Sequence, residues 1–329
     1  MDVTPLVIFV LLINCAAVTP DRLVGGKRVQ KGQFPFFVQI LFNDEPTCGG
    51  SLIHSSWILS AGHCFFFTDN EREEMISNNT INAVMGTNRL YTQTLEISHY
   101  FRKSINRIIL HKDYHECYDN NKIRLVAKYD IALVKTEQPF SMSKHIYTVK
   151  VPNVGQGISV CRRKAVLIGV GVTSFEGHKS SHVLYAETKL YNKRSLKLPE
   201  WFMSSTLLLT KAVWDRHHPL FGDSGGPLVC YHGRIPVLYG VISGIVKVTT
   251  SEKTIVVGTH ESVEEHLSFI KRYVGKVQTV DDTKYWRSRY VHKKNKKIGI
   301  ISLEASASAT PGRLSFLNLL DVFVFLINK

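Results

Sequence analysis

Short apolar runs separated by polar turns make up the chain from residue 22 to about residue 274. Five of these runs have the length and the β-branched content that are typical of strands. They cover residues 37–42, 51–53, 131–134, 165–168 and 237–241. Because runs of this kind at this spacing favour an antiparallel barrel or sandwich over alternating strand–helix units, the pattern predicts an all-β fold.

One helix is predicted near the end of this region, over residues 262–274. Apolar side chains recur there at helical spacing, so that Leu267, Ile270 and Val274 would lie on one face of a helix. Two polar and charged segments, residues 69–82 and 115–124, are interpreted as surface loops. No internal repeat is visible along the sequence.

The first residues have the pattern of an export signal. Residues 6–13 form an unbroken apolar run of eight, too short to span a bilayer, and small residues follow from Cys15 to Ala17. We expect cleavage near Ala17, so that residues 1–17 are a signal peptide and the protein is secreted. Cysteines tend to pair in the oxidising compartments that exported chains enter. Of the six cysteines, Cys15 leaves with the signal, so one of the remaining five is odd.

A glycosylation site is predicted in the first polar segment. The triplet NNT begins at Asn78 and is an acceptor for N-linked glycans in an exported chain. Asn78 is therefore expected to carry a glycan, with an unused acceptor as the alternative.

Composition excludes several classes of protein. The 329 residues are 44% hydrophobic and 21% charged, an ordinary globular balance that excludes wholesale disorder, collagen and a polytopic membrane protein. The 41 basic and 27 acidic side chains leave a net charge of +14. Ten of the basic and four of the acidic side chains lie in residues 276–329, so this short tail supplies +6 of that charge.

Residues 275–329 are interpreted as a basic C-terminal extension with an apolar end. The basic stretch of residues 284–297 is expected to be a solvated face, with binding to anionic surfaces as the alternative. Small residues at 306–308 before an apolar end resemble a glycolipid-anchor signal, but the spacer is short and Asp321 interrupts the end. No nucleic-acid-binding motif accompanies the charge, and export argues against a nucleic-acid partner.

The segment GDSGGPL, residues 222–228, is the most informative about chemistry. Its glycines permit unusual backbone dihedrals and hold the hydroxyl of Ser224 where a substrate can approach. A serine alone is a poor nucleophile and needs a base that a third group orients. His63 in the segment SAGHC and Asp130 in the segment YDIAL are candidates for these two groups. Taken alone, each of these residues could have a purely structural role. Together, in the order His, Asp, Ser along the chain, they predict a catalytic triad.

With these motifs the chain resembles the trypsin and chymotrypsin family of secreted serine proteases. Five segments match in the family's order: RLVGG at 22–26, CGGSLI at 48–53, SAGHC at 60–64, YDIAL at 129–133 and GDSGGPL at 222–228. The resemblance implies a chymotrypsin-like fold, which consists of two packed six-stranded antiparallel β-barrels with a C-terminal helix. It also implies a protease domain over residues 23–274, with its site between the barrels and with protein or peptide substrates.

The resemblance assigns a role to each motif residue. Ser224 would attack the scissile carbonyl, and His63 would act first as general base and then as general acid. Asp130 would orient the imidazole and stabilise the imidazolium. The backbone N–H groups of Gly222 and Ser224 would form the oxyanion hole. Water is the co-substrate, and neither a cofactor nor a metal is implied.

The RLVGG segment implies activation by another protease, which would cleave after Arg22. The freed amine of Leu23 would then pair with Asp223, since a buried carboxylate without a partner is costly. Residues 18–22 would form a very short propeptide. Relatives usually begin with Ile or Val, so Leu23 is a mild departure from the family.

Two disulfides are implied by the resemblance. Cys48 with Cys64 would brace the catalytic histidine, and Cys161 with Cys230 would form the second bridge. Cys161 lies about four residues earlier than the family pattern places it. Cys117 has no partner in that pattern, and a buried thiol or an intermolecular disulfide are the alternatives for it.

The floor of the expected specificity pocket differs from that of trypsin. His218, six residues before Ser224, stands where trypsin has an aspartate. Strong selection for Lys or Arg at the cleaved position is therefore not expected, because a buried cation would lack a counter-charge. Leu220 replaces a cysteine that would support the pocket wall.

The walls of that pocket differ as well. Ser243 begins the segment that pairs with the substrate backbone, but Gly244 replaces its tryptophan and removes an apolar wall. Ile245 is expected to narrow the entrance, whereas Gly258 leaves the opposite wall open. Small apolar side chains are the expected substrates of such a pocket.

Two functions from different classes follow from these observations. The triad favours an active secreted endopeptidase that is made as a zymogen. The altered pocket favours a protease-fold homologue with weak or no turnover that acts by binding or regulation. Labelling with a fluorophosphonate after processing at Arg22 distinguishes the two.

Overall fold

The computed structural model describes residues 26–92, 101–118, 124–155, 158, 161, 164–171, 180–191, 193, 206–212, 223–249 and 254–280. These residues form two groups of antiparallel strands, a separate hairpin, two short α-helices and a 3₁₀ turn. The fold is chymotrypsin-like and mostly β, as the sequence predicts. Four of the five strand-like runs lie wholly within strands, and the third run begins one residue early, because its strand starts at Ala132 rather than Ile131.

Six antiparallel strands close the first barrel. They are β2 (Phe37–Phe42), β3 (Glu45–His54), β4 (Trp57–Ser60), β5 (Ile81–Val84), β6 (Arg102–Leu110) and β9 (Ala132–Thr136). Their order is β2-β3-β4-β9-β6-β5, and β2 pairs with β5 to complete the ring. Fully buried side chains such as Ile40, Leu52, Ile58 and Leu133 fill the interior, and their burial is the main source of stability.

The second group of strands contains seven members. They are β1 (Lys27–Arg28), β10 (Ala165–Gly169), β11 (Leu184–Thr188), β12 (Leu207–Ala212), β13 (Pro227–His232), β14 (Ile235–Thr249) and β15 (Thr254–Ser262), in the order β1-β11-β10-β13-β14-β15-β12. The residues after β11 return to the far edge, where Tyr191 donates to Leu209 O at 2.8 Å and Lys211 donates to Lys189 O at 2.9 Å. These two bonds join the segment that continues β11 to β12, so β10–β15 close as the second six-stranded barrel and β1 is an added strand.

The backbones of the two barrels are in direct contact close to residue 224. Gly49 in β3 donates its N–H to Ser224 O at 2.7 Å. A Cβ at Gly49 would lie 2.9 Å from the Cα of Gly226, so a side chain there would push the barrels apart. The absence of a side chain at this position therefore lets the segment with Ser224 lie against the first barrel.

The interpretation of residues 69–82 as a loop is wrong for most of that segment. Asp69–Ser77 form the helix α1, and Ile81 already belongs to β5. None of the helix residues is buried, so the segment lies on the surface as predicted but has no apolar face to reveal a helix. A capping box stabilises the start of the helix. The side chain of Thr68 accepts from Glu71 N, and the Glu71 carboxylate accepts from Thr68 N at 2.7 Å.

The interpretation of residues 115–124 as a loop also requires correction. His115–Tyr118 form β7, which pairs antiparallel with β8 at Arg124–Lys128. This hairpin leads directly to Tyr129 and Asp130, so its strands place the segment that carries the acidic motif residue.

The predicted helix near the C-terminal end is shorter than expected. It spans Leu267–Val274 as α2, whereas Ser262 is the last residue of β15 and pairs with Gly240. Gly275 ends the helix with a φ of 77°, a conformation that glycine adopts without strain. Among the described residues, no helix is long and apolar enough to cross a membrane.

Candidate active site

Ser224 lies on a tight turn before β13, at the junction of the barrels. Gly225 follows with a φ of 80° and donates its N–H to Ile242 O at 2.7 Å. A Cβ at Gly225 would lie 2.2 Å from Ser60 Oγ, so only glycine fits this turn. The serine itself is half-buried, and the turn holds it at the junction of the barrels, where the substrate cleft is expected.

His63 and Asp130 are joined by two hydrogen bonds. His63 lies on the 3₁₀ turn Gly62–Phe65 that follows β4, and its Nδ1 is 2.7 Å from Asp130 Oδ2. The backbone N–H of His63 donates to Asp130 Oδ1 at 2.8 Å. The side chain of His63 is 14% exposed, whereas that of Asp130 is fully buried. Nδ1 is therefore engaged, and Nε2 is the ring nitrogen left for proton transfer.

Strands β3 and β4 of the first barrel bring Ser224 and His63 to the same junction between the barrels. Ser60 ends β4 three residues before His63, and its hydroxyl donates to Gly49 O at 2.7 Å. Gly49 N in turn donates to Ser224 O. No hydrogen bond within 3.5 Å joins Ser224 Oγ to the imidazole among the described residues. Catalytic bonds of this kind commonly tighten only when substrate is bound.

A third donor holds Asp130. The hydroxyl of Ser243 in β14 donates to Asp130 Oδ2 at 2.5 Å. Burial alone would raise the pKa of Asp130, but the charge of His63 and the hydrogen bonds from His63 and Ser243 bring it below its ordinary value. Asp130 is thus held as a carboxylate. Sequence reasoning assigned Ser243 to substrate binding and missed this contact of its side chain.

Two further residues of this region were missed by the sequence analysis. Asp130 donates its backbone N–H to Glu261 Oε2 at 3.2 Å, and Glu261 Oε1 lies 2.7 Å from His266 Nε2. Glu261 is fully buried and His266 is 2% exposed. A signal existed in the sequence, because Glu261 with His260 follows a run of apolar and small residues in the same strand, where a charge is costly unless it is paired.

Asp223, the expected partner of the activated N-terminus, is fully buried beside the serine. Its Oδ1 accepts from the N–H of Gly171 at 2.8 Å. A Cβ at Gly169 would lie 1.9 Å from the same oxygen, so the strand β10 admits the carboxylate only because residue 169 is glycine. Arg22 and Leu23 lie outside the described residues, and the pairing with Leu23 stays a prediction.

The pocket residues are placed only in part. Ile245 in β14 lies opposite Gly258 in β15, so these two expected wall residues are neighbours across one strand pair. Ile245 is half-buried, and Ser243 is 6% exposed. His218 and Leu220 lie outside the described residues, as does Gly222 of the expected oxyanion hole.

Two disulfides occur among the described residues. Cys48 is bonded to Cys64, next to His63, and Cys161 is bonded to Cys230 of β13. These are the two pairs that the resemblance implies, so the early position of Cys161 does not prevent the second bridge. Cys117 lies in β7 opposite Val126.

The remaining predicted sites lie on the surface or outside the described residues. Asn78 is exposed immediately after α1, a position that is accessible to a glycan. Residues 1–17, the expected signal peptide, and residues 281–329 of the expected basic extension are not among the described residues. Within the described part of the chain, no cluster of three or more His, Cys, Asp or Glu side chains could hold a metal ion.

A double β-barrel with histidine, buried aspartate and serine at the barrel junction defines the class of chymotrypsin-like proteins. The trypsin family model matches residues 23–270, about three quarters of the chain. The chain therefore belongs to the trypsin family of serine proteases. Granzyme M of Rattus norvegicus is 24% identical over 259 residues, which cover 78% of this chain and 90% of the granzyme.

Proposed function

We propose that this protein is a secreted serine endopeptidase that uses His63, Asp130 and Ser224. The observation that carries the proposal is the pair of bonds from Asp130 to the ring and the backbone of His63. These bonds fix one tautomer and one orientation of the imidazole. The turn at Gly225 presents Ser224 at the same junction, and membership of the trypsin family supports the same chemistry.

The reaction that this geometry supports proceeds in two stages. Ser224 Oγ attacks the scissile carbonyl carbon while its proton passes to His63 Nε2. The imidazolium then gives this proton to the departing amine as the peptide C–N bond breaks, which leaves an acyl-enzyme. Water attacks that ester with His63 as base, and the proton returns to Ser224 Oγ as the carboxylic product leaves. Asp130 stays ionised and stabilises the imidazolium in both stages.

The developing oxyanion requires backbone donors. We assign this role to the N–H groups of Gly222 and Ser224, whose sequence matches the family motif. Each donor of this kind typically contributes about 2.7–4 kcal/mol of transition-state stabilisation.

We further propose that the protein is made as a zymogen and is activated by another protease that cleaves after Arg22. The burial of Asp223 supports this step, because a buried carboxylate gains from a cationic partner such as the Leu23 amine. Export through residues 1–17, a glycan at Asn78 and contact of the basic extension with anionic surfaces complete the proposal and rest on the sequence alone.

The specificity that we propose is for small apolar side chains rather than Lys or Arg. His218 lacks the negative charge that would hold a basic side chain. The half-buried Ile245 opposite Gly258 supports a narrow pocket with one open side.

The second candidate is a binding or regulatory protein with weak or no turnover. The substitutions at His218 and Ile245 favour it, because they remove features by which this family holds its substrates. The intact contacts of Asp130 with His63 and Ser243 favour the peptidase.

Labelling of the processed protein with a fluorophosphonate tests the proposed function. We expect the chain that starts at Leu23 to be labelled and to cleave peptides, whereas the chain still intact at Arg22 stays inert. Ser224→Ala should abolish both signals while secretion and folding persist, and Ser77→Ala, on the exposed helix α1, is the matched control. Absence of labelling in processed wild type would favour the binding protein, and activity of Ser224→Ala would refute the assigned nucleophile.

A further inference from the structure

A second buried histidine–carboxylate pair lies behind Asp130. Glu261 is the penultimate residue of β15, and His266 precedes α2 as its N-cap residue. His266 Nε2 is 2.7 Å from Glu261 Oε1, and the two side chains are 3% and 0% exposed. Neither residue reaches the cleft surface, so this pair does not handle substrate.

The second oxygen of Glu261 connects this pair to the triad. Glu261 Oε2 accepts the backbone N–H of Asp130 at 3.2 Å, inside the protein. A hydrogen bond between a backbone N–H and a carboxylate is stronger than one between neutral groups. One buried carboxylate therefore bridges His266 to the main chain of the residue that orients His63.

The main chain around Asp130 is strained, so a hydrogen bond that restrains it has an effect on its conformation. Tyr129 has a φ of 51°, in the left-handed region that residues with a Cβ seldom adopt, and Ile131 N donates to Tyr129 O at 2.8 Å across a tight turn. A strained conformation persists only where its surroundings enforce it. The direction in which the Asp130 carboxylate points depends on this turn.

Aromatic contacts hold the other side of the same turn. The Tyr129 ring stacks on His111 with centroids 5.1 Å apart and an interplanar angle of 8°. It also meets the His266 ring at 6.0 Å and 73°, and His111 meets His266 at 5.0 Å. His266 thus packs against the side chain of Tyr129 while it binds the carboxylate that accepts from Asp130.

We propose that Glu261, supported by His266, is a positioning residue for Asp130 and through it for His63. The proposal rests on the proposed peptidase function, which it deepens. By accepting the Asp130 N–H, Glu261 holds the strained turn in the conformation that aims Oδ1 at His63 N and Oδ2 at His63 Nδ1. Its removal should therefore reduce the rate of the chemical step and leave the binding of substrate unchanged.

A purely stabilising role of the pair and a positioning role predict different effects of replacing it. Buried ion pairs can often be replaced by apolar side chains of similar volume with no loss of stability. The same replacement therefore separates the two roles. Glu261→Met/His266→Leu removes the acceptor of Asp130 and its histidine partner together, so that neither member of the pair is left without the other, whereas Glu261→Gln keeps an amide oxygen for Asp130 N–H and an amide group for His266.

The experiment compares kcat and KM of processed wild type, Glu261→Met/His266→Leu and Glu261→Gln on one peptide substrate. A displacement of about 1 Å at a catalytic group can cost about 10²-fold in rate, so we expect the double variant to lose about 10²-fold in kcat with KM unchanged. Glu261→Gln should retain most of the wild-type kcat. A folded double variant with kcat within twofold of wild type, or a loss confined to KM, would overturn the proposal.

A second measurement does not require turnover. In the Ser224→Ala background, exchange of the Asp130 amide hydrogen is followed by NMR with and without the double substitution. We expect the Asp130 amide to exchange at least about tenfold faster when its acceptor is gone, while the Val134 amide in β9 keeps its protection. Equal exchange rates at Asp130 refute the proposal even if wild type proves inactive, a result that would by itself refute only the peptidase assignment.

Discussion

The two histidine–carboxylate pairs of this protein have the same contact distance and different environments. His63 with Asp130 and His266 with Glu261 both have a nitrogen 2.7 Å from a carboxylate oxygen. The His63 side chain is 14% exposed at the cleft, whereas that of His266 is 3% exposed. The contact distance alone therefore does not distinguish the proposed catalytic pair from the buried pair, whereas the exposure of the histidine side chain does.

A third buried histidine completes the comparison. His260 precedes Glu261 in β15, and its Nε2 lies 2.8 Å from the hydroxyl of Thr210. Its Nδ1 has no hydrogen-bond partner among the described residues. Burial without a carboxylate lowers the pKa of His260 from 6.5 to about 3. His260 therefore differs from His63 and His266 in that its side chain has no carboxylate partner among the described residues.

The largest expected effect comes from the same chemical change made in each pair. Asp130→Asn should lower kcat by about 10⁴-fold, because the amide favours the wrong tautomer of His63. Glu261→Gln should leave most of kcat intact, since His266 transfers no proton. Steady-state kinetics of the two variants measure this difference. Similar losses in both would remove the distinction between a catalytic and a positioning pair.

The next effect concerns stability at acid pH. His260 is neutral in the folded protein, but an unfolded chain binds a proton there below about pH 6.5, so stability is lost as pH falls toward 3. The loss approaches about 1.4 kcal/mol per pH unit, or about 2 kcal/mol between pH 6.5 and 5. Denaturant unfolding at several pH values should show a shallower dependence for His260→Leu. Thr210→Val keeps the imidazole and should keep the wild-type slope.

The smallest expected effect tests the third donor of the catalytic pair. Ser243→Ala removes one hydrogen bond to Asp130 Oδ2 and should lower kcat/KM by about tenfold. The pKa of Asp130 should rise at the same time, because the bond from Ser243 contributes to its lowering. Steady-state kinetics give kcat/KM, and NMR titration of the Asp130 carboxyl carbon gives its pKa. If neither quantity changed, the hydroxyl of Ser243 would have no part in holding the Asp130 carboxylate.

Much of the fold was accessible from local pattern. The strand Phe37–Phe42 is an apolar and β-branched run with the single polar residue Gln39, and its bounds match the prediction. The residues His63, Asp130 and Ser224 stand in short motifs whose glycines and small residues are required by close backbone approach. Local sequence was sufficient to predict this strand and these motifs, because local steric constraints determine their structure.

The missed features depend on partners that are distant in sequence. The helix α1 has no apolar face, and only Thr68 with Glu71 indicated its start. Glu261 acts on a residue 131 positions away, so no spacing rule could connect it to Asp130. The short form of α2 follows from the pairing of Ser262 with Gly240, which competes with the helical pattern.

The two-residue strand β1 has a consequence for activation. Lys27 and Arg28 pair with Tyr185 and Leu184 of β11, and Leu23 precedes Lys27 by four positions. If cleavage occurs after Arg22 as proposed, the new amine is tethered within about 14 Å of Lys27. A tether of this length corresponds to an effective concentration in the millimolar range. Binding of the amine then becomes a first-order event whose equilibrium is independent of protein concentration, and an added peptide would compete only at millimolar levels.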